Sequence, residues 1–405
     1  MASASTESST QVLSTKDRLQ NFEKAWKAIH DNYYDPDMNG VNWDEIHQRY
    51  RPLVEAVTTD KEYFQLLQRM TGELHDPHTV VLAPEEVEYF KKHQRVRLSI
   101  GAQEFEGKLV VTRVDPGSDA EQAGVQTGMT VQTIDGEPLA GILAQDPSKL
   151  PDSSPVLAAR RRLAGIPGAG PPGSTVRYGL QRQDGSSFEV TLARKVDALN
   201  AGATAKLLPS GNAYVSLMGF YPPVTKAFKD ALLTFHDAPG LIIDLRGNPG
   251  GQENELLSMA NHFFSTKTAF GKIKMRTRDP RPLYVGDKGG SIYSGPVVIL
   301  VNERSASASE VFTSGMQETG RAKVVGERSC GCVLGVFNPV ELKGGGMLNI
   351  SRILFFSPSG RKLEGSGVTP DKAAEQTLPD VMRKRDTVLD AGEEILKEMS
   401  TAARK

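Results

Sequence analysis

A chain of 405 residues and 44.0 kDa exceeds what one hydrophobic core of ordinary size holds, which excludes a minimal binding module and predicts two or three domains. Its 39% hydrophobic and 24% charged residues exclude a fibrous or wholly disordered chain. Lys and Arg number 48 against 49 Asp and Glu, a net charge of -1, so no global positive field draws the chain to nucleic acid or an anionic membrane.

Residues 1–18 are expected to form a disordered tail. Met1 to Thr15 are rich in Ser and Thr and lack the basic start and apolar core of a secretory signal, which leaves the cytoplasm as the default compartment. No stretch reaches the ~20 apolar residues of a membrane span. Leu19, Phe22, Trp26, Ile29 and Tyr33 then recur at three- and four-residue steps, the spacing of one buried helical face. A second helical run covers Trp43 to Val57. A third, Lys61 to Leu74, follows the candidate caps Thr58, Thr59 and Asp60 and carries Phe64, Leu67 and Met70 on one side. It ends at His75-Asp76-Pro77-His78-Thr79, where proline turns the chain out of the helix. A helical domain over 19–85 thus delivers a histidine pair to a turn.

From Val96 short β-type runs take over: Arg97 to Ile100, Lys108 to Val114, Thr130 to Ile134, Thr175 to Gln181 and Ser187 to Leu192. One helical piece, Val156 to Leu163, and a glycine- and proline-rich stretch, Gly165 to Gly173, interrupt them. From Ala213 strand and helix alternate: strand Ala213 to Leu217, helix Val224 to Phe235, strand Leu241 to Leu245, helix Glu253 to Phe263, strand Val297 to Val301, helix Ala308 to Thr319, strand Lys323 to Val325. Such alternation predicts a sheet covered by helices, with functional groups at the strand ends. A charged helix from Leu378 is expected to pack on the surface.

Two strand ends carry candidate chemistry. The buried strand Ile299-Leu300-Val301 runs through Asn302-Glu303-Arg304 into Ser305-Ala306-Ser307-Ala308-Ser309-Glu310. A serine on such a strand-to-helix turn projects from the sheet, and the helix's first N–H groups favour an oxyanion. The same serines also read as helix caps. The strand Leu241 to Leu245 ends in Arg246-Gly247-Asn248-Pro249-Gly250-Gly251, where glycines let backbone N–H groups face a substrate or simply close a tight turn. Together the two turns suggest a nucleophile and its oxyanion hole. The two cysteines, Cys330 and Cys332, flank one glycine; neighbours so close seldom pair without strain, and two are too few for a cysteine-only zinc site.

Asp244-Leu245-Arg246-Gly247-Asn248-Pro249-Gly250-Gly251 and Ser305 to Glu310 resemble the paired turns of the carboxyl-terminal processing (tail-specific) serine proteases. The resemblance extends from Leu19 to Asp371 and includes Leu363-Glu364-Gly365-Ser366-Gly367-Val368-Thr369-Pro370-Asp371. It implies a multidomain α/β protein: the helical domain, a β-rich PDZ domain at 86–198, an α/β protease core of the ClpP/crotonase-like type at 199–376, and a C-terminal helix at 377–405. The middle serine, Ser307, is the implied nucleophile. Val111 to Ala120, Ala123-Gly124-Val125 and Ile134-Asp135-Gly136 resemble the PDZ pattern, and Ser99-Ile100-Gly101-Ala102 is the implied seat of a peptide carboxylate, the peptide adding as a strand.

The sequence departs from the family at its base. In the lysine-using branch a lysine stands 25 residues beyond the serine, which is here Cys332; the glutamine four further on is Val336; and no lysine lies between Lys323 and Lys343. In tricorn-type relatives a histidine at the turn after the helical segment is the base, assisted by a later glutamate. His78 and Glu364 match those positions. A neutral imidazole with a pKa near ~6.5 can take the serine proton at neutral pH, so the resemblance implies a Ser307–His78–Glu364 site. The backbone N–H groups of Gly250 and Ala308 are the implied oxyanion donors, Gly251 is the near alternative, and Cys332 becomes a wall of the site.

His75 with His78 as metal ligands lacks a third ligand at a supporting spacing, so no metal or organic cofactor is expected. The expected activity is serine-type hydrolysis of peptide bonds in unstructured or C-terminal protein segments. The partner is a protein or peptide with an unstructured tail, not nucleic acid. Two rivals stand beside it: an inactive peptide-binding pseudoprotease, and a retinoid-type hydrophobic-ligand binder on the same core.

Overall fold

The computed structural model describes residues 12–92, 94–143, 172–198, 203–286 and 292–402. The helical piece expected at Val156 to Leu163 and most of the stretch Gly165 to Gly173 lie outside them. The chain divides into two compact units. The first holds described residues 12–92 together with Gly335–Ile353; the second holds the remainder.

In the first unit, helices α1 (Thr15–Asn32), α2 (Trp43–Ala56) and α3 (Asp60–Gly72) fall where their apolar spacing predicts. Phe22, Ile29, Tyr33, Leu67 and Met70 form one core. Residues 15–18, assigned by sequence to a disordered tail, are instead the first turn of α1. Ser14 caps that turn through the Asp17 N–H at 3.1 Å, and the buried Arg18 guanidinium binds Asp60 at 2.9 Å. Thr59 and Glu62 close a capping box on α3. Strand β1 (Val80–Leu82) pairs antiparallel with Met347–Asn349, which places Leu348 and Ile350 in this core. The sequence assigned 335–353 to the protease core; the return of this segment to the helices is the difference.

In the second unit, β2 (Ile100–Phe105), β3 (Lys108–Val114), β4 (Thr130–Ile134), β5 (Thr175–Gln181) and β6 (Ser187–Ala193) lie in that order in one sheet over a core of Leu109, Val111, Val131, Tyr178 and Leu192. The strand expected at Arg97 to Ile100 divides here: Gln94–Arg97 pairs with Lys195–Ala198, and β2 begins at Ile100.

A six-stranded sheet follows, ordered β7 (Ala203–Leu207), β8 (Ala213–Leu217), β9 (Leu241–Asp244), β10 (Val297–Val301), β11 (Lys323–Gly326) and β12 (Lys372–Ala373). Only β7 runs antiparallel to its neighbour; β8 to β12 are parallel, and β9 and β10 are buried along their whole length. Helices α4 (Pro222–Thr234), α5 (Glu253–Ala260) and α6 (Ala308–Glu318) follow β8, β9 and β10. The last helix, α7 (Thr387–Ala402), does more than lie on the surface: Val388 and Leu396 are buried against Ile242, Val298 and Leu300 of the sheet. Sequence analysis missed the hairpin Thr268–Met275/Arg278–Val285.

Candidate active site

Strands β9 and β10 are parallel neighbours in register, Asp244 beside Leu300, so the turns leaving their carboxyl ends lie side by side. Two asparagines knit those turns together. Asn248 Oδ1 accepts the Gly250 N–H at 2.9 Å, while its carbonyl accepts the Ala306 N–H at 3.0 Å and the Ser309 hydroxyl at 3.0 Å. Asn302 Oδ1 accepts the Gly247 N–H at 2.9 Å. Arg246 leaves the turn in the other direction. Its guanidinium binds Asp244 at 2.6 Å and Asp386 at 2.7 Å, and Asp386 accepts the Leu389 N–H at 3.0 Å in the first turn of α7.

The three serines separate cleanly. Ser305 is fully buried, and its hydroxyl donates to the Leu245 carbonyl at 2.7 Å and accepts the Asn302 N–H at 3.0 Å. Ser309 is equally buried and bound to Asn248. Ser307 is half-buried and its side chain makes no capping hydrogen bond. Its backbone sits at φ 56, ψ -119, a region non-glycine residues rarely occupy and one met at strained nucleophile turns. Hydrogen bonds to neighbouring carbonyls therefore occupy the Ser305 and Ser309 hydroxyls as structural groups, whereas Ser307 is the residue at the N-cap position of α6.

Gly250 has φ +103, and a Cβ on it would stand 2.7 Å from Ser307 Cβ and 2.8 Å from the Ala308 nitrogen. Only glycine lets the backbone lie this close to the serine. Gly250's own N–H, expected as an oxyanion donor, is engaged by Asn248 Oδ1.

The Ser307 N–H donates to the Cys332 carbonyl at 2.8 Å, and the Cys330 N–H donates to the Ser305 carbonyl at 3.0 Å. From the other side, Glu364 Oε2 accepts the Val333 N–H at 2.6 Å and the Gly365 N–H donates to the Gly331 carbonyl at 2.8 Å. The segment 330–333 thus joins the Ser307 turn to the Glu364 turn. Its cysteines, expected from their spacing to stay apart, form a disulfide: Gly331 at φ +71 folds the chain back and brings the two Cα atoms to 5.1 Å, within bridging range.

A further residue completes the arrangement. Glu310, fully buried, accepts from the Ser329 hydroxyl at 2.6 Å and from the N–H groups of Gly331 at 2.6 Å, Cys332 at 3.0 Å and Ser307 at 3.1 Å. Burial pushes its carboxyl up against the pull of these four donors. Sequence reasoning left Glu310 without a role, although the Ser-x-x-Glu spacing of a capping box was there to be seen.

His78 belongs to the first unit. Asp76, itself buried, accepts the His78 N–H at 2.8 Å and the Thr79 hydroxyl, and Thr79 in turn accepts the Ser351 N–H at 3.0 Å. The His78 ring is largely buried, and its Nδ1 lies 3.9 Å from Asp76 without a hydrogen-bond partner. Burial holds the imidazole below its ordinary value, with Asp76 pulling the other way. His75 is exposed at φ 51. In the β2–β6 module Ser99 is buried and its hydroxyl donates to Asp119 at 2.5 Å. Against burial, which raises it, hydrogen bonds from Ser99 and Lys195 hold Asp119 at about 2.

Residues 211–374 match the family model Peptidase family S41, and residues 14–72 match the Tricorn protease C1 domain. The chain is 28% identical over 369 residues to the chloroplastic carboxyl-terminal-processing peptidase 3 of Arabidopsis thaliana, covering 86% of this chain and 67% of that protein. It is 27% identical over 395 residues to the putative tricorn protease homolog 2 of Streptomyces coelicolor, covering 92% of this chain but only 31% of the relative. Two solved structures share the fold: the photosystem II D1 C-terminal processing protease, TM-score 0.59 at 23% identity over 88% of this chain and 93% of that one, and mature CPAF with lactacystin, TM-score 0.67 at 15% identity over 96% and 98%. The Tricorn protease C1 match precedes the S41 match along the chain, and the Asp244–Gly251 and Ser305–Glu310 turns fall inside the S41 match. Residues 211–374 thus form a peptidase family S41 region, the family of the carboxyl-terminal processing serine peptidases, and the chain is a hydrolase.

Proposed function

We propose that the chain hydrolyses peptide bonds in unstructured or carboxyl-terminal protein segments through Ser307, with His78 as general base in place of the lysine and Glu364 as its assistant. The observation that carries this is the singling out of Ser307, the one serine of its turn with no structural hydrogen bond from its side chain. The Gly251 and Ala308 N–H groups receive the oxyanion, while Gly250 keeps the approach open. A neutral, largely buried imidazole supports His78 in this role, since it accepts a proton from serine and returns it to the leaving amine. Acylation forms a Ser307 ester and releases the amine; water then hydrolyses the ester.

The 86–198 region acts as a PDZ-type module that seats the substrate tail as an added strand on β2, which lies at one edge of its sheet. With the Ser99 hydroxyl bound to Asp119, the carboxylate is met by backbone N–H groups around Ile100, Gly101 and Ala102.

A fluorophosphonate label and a tailed-peptide cleavage assay, run on the parent, Ser307→Ala, His78→Ala and Cys332→Ala proteins, test the proposal. Labelling and cleavage vanish in the first two variants if it holds. Unimpaired cleavage by His78→Ala sinks the histidine base, and peptide binding with no cleavage in the parent identifies a pseudoprotease.

A further inference from the structure

The segment Cys330-Gly331-Cys332 is hydrogen-bonded to three of the groups that define the site. Its Cys332 carbonyl takes the Ser307 N–H, its Gly331 and Cys332 N–H groups reach Glu310, and its Gly331 carbonyl takes the Gly365 N–H beside Glu364. Gly331 is also wedged under that neighbouring turn, where a Cβ would stand 3.1 Å from the Gly365 carbonyl carbon and 3.2 Å from the Gly367 nitrogen. The disulfide closes a small ring through this same segment. Cys332 is buried, and Cys330 is half-exposed.

We propose that the Cys330–Cys332 disulfide is a thiol-exchange site through which a dithiol reductant switches the peptidase off, an inference that rests on Ser307 being the nucleophile. The ring holds Gly331 in its left-handed conformation and so keeps both N–H groups aimed at Glu310 and the Cys332 carbonyl aimed at Ser307. Ser307 sits in a backbone region it leaves unless its surroundings enforce it. Opening the ring removes part of that enforcement, and the seryl turn relaxes.

The step balances. A thiolate of the dithiol attacks the sulfur of the half-exposed Cys330 and the Cys330–Cys332 bond breaks. Cys332 leaves as a thiolate and takes up a proton. The reductant's second thiol then displaces Cys330 from the mixed disulfide. Two electrons and two protons pass to the cysteine pair, and the dithiol ends as a cyclic disulfide.

The test uses the full chain with dithiothreitol as the reductant. Iodoacetamide and peptide mass mapping count free thiols, peptide cleavage gives kcat and KM, and amide hydrogen exchange follows residues 305–310 and 329–333. The proposal expects both cysteines to alkylate only after reduction. It expects kcat to fall at least about tenfold with KM changed far less, exchange to accelerate in both segments, and re-oxidation to restore all three. The Cys330→Ser/Cys332→Ser protein should resemble the reduced parent and ignore the reductant.

Free thiols in the untreated protein, or identical kcat and exchange in the two redox states, overturn it. Should Ser307→Ala cleave as fast as the parent, the nucleophile assignment fails. Hydrogen exchange, which needs no activity, still reports whether the disulfide holds the turn.

Discussion

The Ser307 N–H donates to the Cys332 carbonyl at 2.8 Å, so the residue standing at the lysine position of the lysine-using branch holds Ser307 by its backbone. A lysine there would act through its side chain. Here the position serves as a brace whose carbonyl bonds the Ser307 N–H and whose own N–H bonds Glu310, and the proposed base is another side chain, His78. Losing the lysine and gaining the brace are compatible because the two functions use different atoms of the same position.

Gly250→Ala should disable the enzyme without unfolding it. The new Cβ meets Ser307 Cβ at 2.7 Å and two backbone atoms at 2.8 Å, at a φ of +103 that side chains avoid, so the seryl turn must move. A displacement on the order of 1 Å at a nucleophile costs about 100-fold in rate. Steady-state kinetics should show that fall in kcat, with a circular dichroism spectrum like the parent's. An unchanged kcat would separate Gly250 from the nucleophile.

Glu310→Ala should lower stability as well as activity. The substitution strands the Ser329 hydroxyl and the N–H groups of Gly331 and Cys332 in a buried setting, while the Ser307 N–H keeps the Cys332 carbonyl. Each stranded donor costs about 1 to 3 kcal/mol, and partial relaxation brings the expected loss to about 4 kcal/mol. Urea unfolding of the oxidised protein measures it. A loss below about 1 kcal/mol would mean that water replaces the carboxylate at no penalty.

Much of this site is legible in the sequence because its groups lie close together along the chain. The turns Asp244–Gly251 and Ser305–Glu310 follow uninterrupted apolar strands, and β3, β4, β5, β8 and β10 occupy the residues their patterns predict. What stays hidden depends on distant partners. The fit of Met347–Asn349 against Val80–Leu82 is decided by a pairing across most of the chain, and three short residues show no periodicity of their own. The cysteine pairing turns on the left-handed Gly331, which a bare Cys-Gly-Cys does not disclose. Glu310's capping spacing is local, but its bonds to Ser329, Gly331 and Cys332 are not.

Arg246→Met should loosen the C-terminal helix. Arg246 bridges Asp244, whose carboxylate also accepts the Tyr214 hydroxyl at 2.8 Å and the Arg246 backbone N–H at 3.0 Å, and Asp386 at the start of α7. Removing the cation leaves Asp244 buried beside two neutral donors, the Tyr214 hydroxyl and the backbone N–H of residue 246, and breaking a buried pair in this way costs about 3 kcal/mol or more. Limited proteolysis should then release fragments cut between Ala374 and Asp386 sooner than in the parent. Equal proteolysis and an unchanged urea midpoint would show that α7 is held by Val388 and Leu396 alone.

The pH dependence should distinguish a histidine base from a lysine one. Burial lowers the His78 imidazole from 6.5, so it is neutral at physiological pH and protonates only in more acidic solution. A protonated ring cannot accept the Ser307 proton, so kcat/KM should fall as pH drops through an apparent pKa below 6.5 and stay level above it. Stability moves in the same direction. Between the lowered folded value and the ordinary unfolded one the unfolded chain binds more protons, so this group's contribution is full above 6.5 and is lost as pH falls through the folded pKa. Profiles taken between about pH 5 and 8 on an uncharged peptide show both trends. In His78→Gln the acid limb of any residual activity should disappear, and its persistence would assign the titration to another group.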